Sequence, residues 1–230
     1  MNKGKFYDAA WIASDVEHSK RLVFDYEAFD FEKRWENETQ FTIDLIDAHT
    51  SLDHTSRVLD YGSGVGRLAK PVIERFGCCV DAYEPSADLR LHAKTYVGDE
   101  RYQHVTEPQT YDLIICAWVA LLIDDVDGLY DMFASVLKPT GMLLVIDYEH
   151  QLLTDDGINY KRVKNGKVKS SLERQFDVLY TGNVPDKYID KQWVAKNTFS
   201  WNHTFWAVSS SKPKYHYEYN EKENTCKADS

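Results

Sequence analysis

The run Arg57-Val58-Leu59-Asp60-Tyr61-Gly62-Ser63-Gly64-Val65-Gly66-Arg67-Leu68 constrains the fold of this chain more than any other stretch. A short apolar strand ends in an acid, three glycines follow at alternate positions, and a helix begins beyond them. Glycine is needed where the backbone takes positive φ or where a ligand must touch bare main chain. A helix N-terminus adds unpaired N–H groups and a partial positive charge. Such a turn holds an anionic or polar ligand group above the carboxyl end of a parallel strand.

The spacing narrows the ligand. Dinucleotide loops read GxGxxG, whereas here the third glycine falls one place early, at Gly66. Asp60, two residues before Gly62, repels a pyrophosphate and suits a ligand carrying an ammonium group. No Gly-Lys-Ser/Thr follows, which excludes a Walker phosphate loop. A second short strand, Cys78 to Glu84, also ends in an acid. Glu84 lies roughly 20 residues beyond the glycines, where a carboxylate can receive both hydroxyls of a ribose. Ser86 is a candidate N-cap for a helix that puts Leu89, Ala93 and Tyr96 on one face.

Four blocks, VLDYGSGVGRLAK, VDAYEPSADLRLHAK, YDLIICAWVALLIDD and LKPTGMLLVIDYEH, resemble in order and separation the class I S-adenosylmethionine-dependent methyltransferases. The resemblance covers about residues 40–150. It implies an α/β, Rossmann-like, doubly wound seven-stranded sheet, mostly parallel with an antiparallel C-terminal strand, plus a helical N-terminal extension and a cap insertion. It also implies S-adenosyl-L-methionine as cofactor. Gly62, Ser63 and Gly64 would offer backbone to the methionine moiety, and Asp60 would place its ammonium group. Glu84 would bind the ribose hydroxyls, Pro85 would pack on the adenine, and Trp118 would line the sulfonium end. One block departs from the family: near Tyr102–Val105 many members carry an acid that reads the adenine amino group. Here Gln103, His104, Thr106 and Glu107 all stand as candidates.

The chain has 230 residues, enough for one α/β domain with decorations. Its 37 acids against 27 bases give a net charge of −10, which repels a phosphate backbone and disfavours extensive nucleic-acid binding. The basic run Lys161, Arg162, Lys164, Lys167, Lys169 reads as the solvated face of a β-hairpin turning at Asn165-Gly166. Cys78, Cys79, Cys116 and Cys226 form no CxxC or Cys/His metal spacing, so a reduced, cytoplasmic chain without a metal is expected. No apolar run reaches membrane-spanning length.

Along the chain, residues 1–56 read as a helical lid, with a helix from Asp30 to His49. Tyr7 and Trp11 are candidate lid residues lining a substrate pocket, alongside Tyr148. Residues 57–210 form the expected methyltransferase domain. Its strands are predicted near 57–61, 79–84, 102–105, 111–117 and 141–147, and its helices near 65–76, 86–96 and 125–137. Lys138-Pro139-Thr140-Gly141 reads as the turn before the fifth strand. Residues 148–191 are expected to form a substrate-side cap containing a helix near 171–180. Trp193–Phe199 and His203–Ser210 read as an antiparallel hairpin closing the sheet, and 211–230 as a disordered tail.

Methyl transfer from a sulfonium is an in-line displacement with a neutral leaving group. The protein must align the reactants and exclude water, and a general base helps when the acceptor is a hydroxyl or a protonated amine. Asp147, Tyr148, Glu149 and His150 are candidates at the strand ends, with His203 more remote. His150 is the candidate catalytic residue, because its ordinary pKa lies near neutrality. Trp118 would stack on a substrate ring or cation, or serve as a simple wall. The tetrapeptides of exocyclic base-amine enzymes, the Pro-Cys of cytosine-C5 enzymes and the paired glutamates of protein-arginine enzymes are all missing. The expected acceptor is therefore an oxygen or nitrogen of a small molecule. RNA or protein methylation, or a catalytically silent cofactor-binding module, are the alternatives.

Overall fold

The computed structural model describes residues 11–24, 31–107, 109–153, 161–185 and 204–212. Two helices lead in, α1 (Val16–Phe24) and α2 (Phe31–His49). The alternating part follows as β1 (Arg57–Tyr61), α3 (Ala69–Phe76), β2 (Cys79–Tyr83), α4 (Ala87–Val97), β3 (Tyr102–His104), β4 (Tyr111–Ala117), a 3₁₀ turn (Ala120–Leu122), α5 (Val126–Val136) and β5 (Leu137–Tyr148). Then come β6 (Gln151–Leu153), β7 (Lys161–Val163), α6 (Lys167–Gln175), β8 (Phe176–Gly182) and β9 (Thr204–Ser211).

The main sheet has seven strands in the order β3-β2-β1-β4-β5-β9-β8. The first five are parallel, and β9 runs antiparallel to both β5 and β8. The expected seven-stranded Rossmann-like architecture is thus the observed one. The chain reverses its winding between β1 and β4, which creates a crevice beyond the carboxyl ends of those strands.

Strand alternation explains the two hydrophobic layers. Successive side chains point to opposite faces, so Val58, Leu113 and Ile115 join one buried layer with Ile43, Ile46, Val72 and Ala93 from α2, α3 and α4. Leu59, Ile114 and Cys116 join the other, with Leu129, Tyr130 and Phe133 of α5 and Val168 and Leu172 of α6. Both faces of the central strands are covered, which is why they read as unbroken apolar runs.

Four local expectations are corrected. Asn165-Gly166 does not turn a hairpin: Gly166, at φ 60, is the N-cap of α6, and Asn165 Oδ1 accepts the Lys167 N–H at 3.0 Å. Val168 and Leu172, one helical turn apart, are both buried, and that burial selects the helix. The helix expected near 171–180 ends at Gln175, and the chain continues as β8, an edge strand of the main sheet lying within the segment expected to be a cap. Lys138–Gly141 runs inside β5 as an irregular excursion, since Tyr111 pairs with Leu137 while Leu113 already pairs with Met142. The first glycine-loop helix starts at Ala69, because residues 64–68 form turns. The antiparallel partner of β9 on its outer side is β8; Trp193–Phe199 lies outside the described residues, as do Tyr7 and the tail beyond 212.

Candidate functional site

The glycine loop leaves β1 at the crevice. Gly62, Gly64 and Gly66 take φ of 74°, 55° and 85°, a left-handed conformation that side chains other than glycine adopt at a cost. The Gly62 and Ser63 N–H groups both donate to the Tyr83 carbonyl, at 2.7 and 3.2 Å, which pins the loop to the end of β2. At Gly64 a Cβ would sit 2.6 Å from Val23 Cγ1, so α1 lies directly on the loop. Below the loop, Tyr61 and Tyr83 stack with ring centroids 4.7 Å apart.

Glu84 follows β2 and is almost wholly buried. One carboxylate oxygen accepts the Gly64 N–H at 2.9 Å and the other the Ser86 N–H at 2.8 Å. Each oxygen keeps a second acceptor position. Burial raises the pKa of Glu84, and the two N–H bonds oppose that rise. Ser86 caps α4 by accepting from Leu89 N and also donates to the Trp11 carbonyl at 2.8 Å. Trp11 is thereby held at the β2–α4 turn, beside Glu84 and Pro85. The Pro85 and Glu84 carbonyls are fixed by the Arg90 guanidinium at 2.6 and 2.7 Å.

Asp60 is buried, and its Oδ2 has no hydrogen-bond partner. Burial pushes its pKa up to about 7, the Arg67 guanidinium opposes the rise, and Glu84 adds to it. Arg67, unremarked in the sequence reading, is itself buried, with Trp35 beneath its guanidinium at 5.9 Å. Glu38 and Asp60 both hold Arg67 in its charged form against the cost of burial. Its only sequence signal is a cation directly after the third glycine. Glu38 comes from α2, where it also pairs with Arg34 at 2.9 Å.

Ser63 Oγ and His104 Nδ1 are also buried and make no hydrogen bond of ordinary geometry, although the Tyr102 hydroxyl stands close to Ser63 and the Arg90 and Ala82 backbone close to His104. Of the four residues weighed after the third strand, Gln103 donates to Asp81 at 2.8 Å inside a network with Arg57 and Tyr111. His104 instead turns to the Tyr102 hydroxyl, 3.2 Å from its Nε2, on the side of Ser63. Unsatisfied buried polar atoms are rare and call for a partner. Asp60 Oδ2 and Ser63 Oγ lie along the glycine loop, and the free Glu84 lone pairs border it. That donor and acceptor set fits the amino-acid and ribose parts of S-adenosylmethionine.

Trp118 and Tyr148 mark the ends of β4 and β5. Trp118 is the one non-glycine among the described residues with positive φ, 61°, a placement that costs about 1–3 kcal/mol and clusters at functional sites. Its ring lies 5.4 Å from that of the buried Tyr148. His150 sits two residues further on, and its Nδ1 accepts the Gly166 N–H at 2.9 Å. An imidazole whose Nδ1 accepts a hydrogen bond carries its ring proton on Nε2. The structure thus gathers Asp60, Gly62, Ser63, Gly64, Glu84 and Pro85 around the glycine loop. Trp118 and Tyr148 form a second group at the neighbouring strand ends. His150 is tied to the start of α6. No group of His, Cys, Asp and Glu able to hold a metal occurs among the described residues, nor any helix long and apolar enough to cross a membrane.

Residues 17–180, well over half of the chain, match the family model described as a methyltransferase domain. The chain is 28% identical over 158 residues to the alpha N-terminal protein methyltransferase 1 of Caenorhabditis elegans, covering 60% of this chain and 68% of that protein. It is 30% identical over 142 residues to the N-terminal Xaa-Pro-Lys N-methyltransferase 1 of Bos taurus, covering 55% of this chain but only 58% of that protein. It is 34% identical over 98 residues to the ubiquinone biosynthesis O-methyltransferase of Rhodopseudomonas palustris, covering 39% and 38%. Among solved structures, the StiE O-MT superimposes with a TM-score of 0.60 over 83% of this chain and 81% of that one, at 16% identity, a likeness of fold. With the fold and the family model in agreement, the chain belongs to the methyltransferase domain family and has the class I, Rossmann-like fold of S-adenosylmethionine-dependent methyltransferases.

Proposed function

We propose that the chain transfers the methyl group of S-adenosylmethionine to an amine or hydroxyl of a small molecule that enters beside Trp118 and Tyr148. One observation carries this reading. A loop suited to the amino-acid end of the cofactor and a preset aromatic pair stand at the carboxyl ends of adjacent strands, β1 and β4–β5. When bound, the cofactor supplies an electrophilic methyl group on a sulfonium. Asp60 would accept from the ammonium group, with Gly62, Ser63 and Gly64 alongside. Arg67, a buried cation beside Asp60, would balance the carboxylate of the same moiety. Glu84 would take the ribose hydroxyls on the lone pairs left by Gly64 and Ser86, while Pro85, Trp11 and His104 would meet the adenine. Trp118 and Tyr148 align the acceptor and keep water out, which can supply several orders of magnitude. His150 serves as base only if the Gly166 N–H releases its Nδ1. An acceptor arriving as a neutral amine needs no such step.

The free amino group of a polypeptide is a second reading, favoured by the similarity to the two N-terminal protein methyltransferases. The test is transfer of labelled methyl to a panel of small amines and phenols, and to peptides beginning Xaa-Pro-Lys with free or acetylated amino termini. Label in the small molecules is the expected result. Label confined to peptides with a free terminus establishes the second reading. Absence of transfer together with absence of S-adenosylhomocysteine binding by calorimetry sinks both.

A further inference from the structure

The arrangement above leaves the buried carboxylate of Asp147 unused. Asp147, the penultimate residue of β5, is wholly out of solvent. Its Oδ1 accepts the Tyr148 N–H at 2.7 Å and its Oδ2 the Leu121 N–H at 3.2 Å. The Ala120 and Val119 N–H groups also favour its charged form. Val119, Ala120 and Leu121 are the three residues after Trp118. The Trp118 N–H itself donates to the carbonyl of Ile146, the neighbour of Asp147, at 2.7 Å. Two consecutive residues of β5 therefore tie down the whole turn that begins at Trp118.

The physics makes this tie necessary. A tryptophan in the left-handed region persists only where its surroundings over-determine it. The single 3₁₀ turn that follows has buried N–H groups with no partner inside the turn. A carboxylate, an acceptor on every lone pair, can take several N–H groups at once, whereas an amide would aim its own N–H at them. We propose that Asp147 is a positioning residue: it holds the Trp118 turn, and through its bond to the Tyr148 N–H it sets both aromatic rings of the acceptor side as one pair. This rests on the methyltransferase reading of the site. Asp147 touches neither the cofactor loop nor the reacting atoms. The titratable groups facing it are the Cys116 thiol from β4 and the Tyr130 hydroxyl from α5, while β9 sets Phe205 opposite it in register.

The experiment compares wild type, Asp147→Asn and Trp118→Phe by near-ultraviolet circular dichroism, with S-adenosylhomocysteine calorimetry on each. Asp147→Asn is expected to stay folded by far-ultraviolet dichroism and to bind S-adenosylhomocysteine no more than about tenfold more weakly. It is also expected to lack the same tryptophan band that Trp118→Phe lacks. A folded Asp147→Asn that keeps the Trp118 band overturns the proposal. Failure of wild type to bind S-adenosylhomocysteine removes instead the site reading beneath it. If Asp147→Asn does not fold, amide hydrogen exchange of wild type is read at Leu121 and Tyr148, whose N–H groups Asp147 accepts. Protection of both amides upholds the proposal, and exchange at the rate of open chain overturns it.

Discussion

At the scale of single residues, the site is built on carboxylates that the fold has taken out of water. Asp60 and Glu84 are nearly or wholly buried, and each is stabilised by a different neighbour: Arg67 for the first, the Gly64 and Ser86 N–H groups for the second. For Asp60 the raised pKa of about 7 has a measurable consequence. A ligand ammonium group placed beside it favours the ionised form and lowers that pKa. Binding therefore releases a proton below about pH 7 and strengthens as pH rises to that point, then levels off. Calorimetry with S-adenosylhomocysteine in buffers of different ionisation enthalpy checks this. Asp60→Asn should abolish the proton release and weaken binding about 10- to 100-fold, the range for a lost charged hydrogen bond. Equal proton release by both proteins would remove Asp60 from the site. Asp60, the glycines and Glu84 could be read from the sequence because strand, turn and helix keep them in one local unit. Arg67 could not, because its partner Glu38 reaches it from α2, 29 positions earlier in the chain.

At the scale of elements, the decisive contact is α1 on the glycine loop. The N-terminal segment is stitched to α4 by Ala13 N–H to Asp88 at 3.2 Å and Ser19 Oγ to His92 Nδ1 at 2.9 Å, and Lys20 lies 5.3 Å over the Tyr96 ring. Val23 then fills the space that any side chain at residue 64 would need. Gly64→Ala meets two separate costs, a left-handed φ and a collision with Val23. Together they should destabilise the protein by about 2–4 kcal/mol. Adding Val23→Ala to the same chain relieves the collision and leaves the φ strain, so the double variant should recover part of the loss in urea melts. Strictly additive losses would mean that α1 does not rest on the loop in solution. Helix periodicity gives α2 but not this seat: which face of α1 meets which glycine depends on how the helix returns across the sheet.

At the scale of the whole molecule, the buried acids Asp60 and Asp147, with Glu84 acting in the same direction, make stability depend on pH. Asp60 and Asp147 both have folded-state pKa values of about 7 against an ordinary 3.8. Between those limits the folded state binds more protons than the unfolded one, so their contribution is full below about pH 4 and is lost as pH rises through 7. The loss is on the order of a few kcal/mol for each. Asp99 lies at the opposite limit, held down to about 2 by the Arg101 guanidinium, and its contribution is lost only in acid. The free protein is therefore expected to be more stable to urea at pH 5 than at pH 8, and bound S-adenosylhomocysteine should narrow the gap by favouring ionised Asp60. A urea midpoint that rises from pH 5 to pH 8 would contradict the burial of both acids. By itself the sequence determined the alternating strands and helices, the glycine loop and Glu84, because apolar runs, glycine spacing and strand-end acids are local signals. Only the tertiary structure decided that Asn165-Gly166 opens a helix, that residues 176–182 join the main sheet, and that Asp147 serves the turn at Trp118. Each of those choices is made by burial against, or hydrogen bonding to, residues distant in the chain.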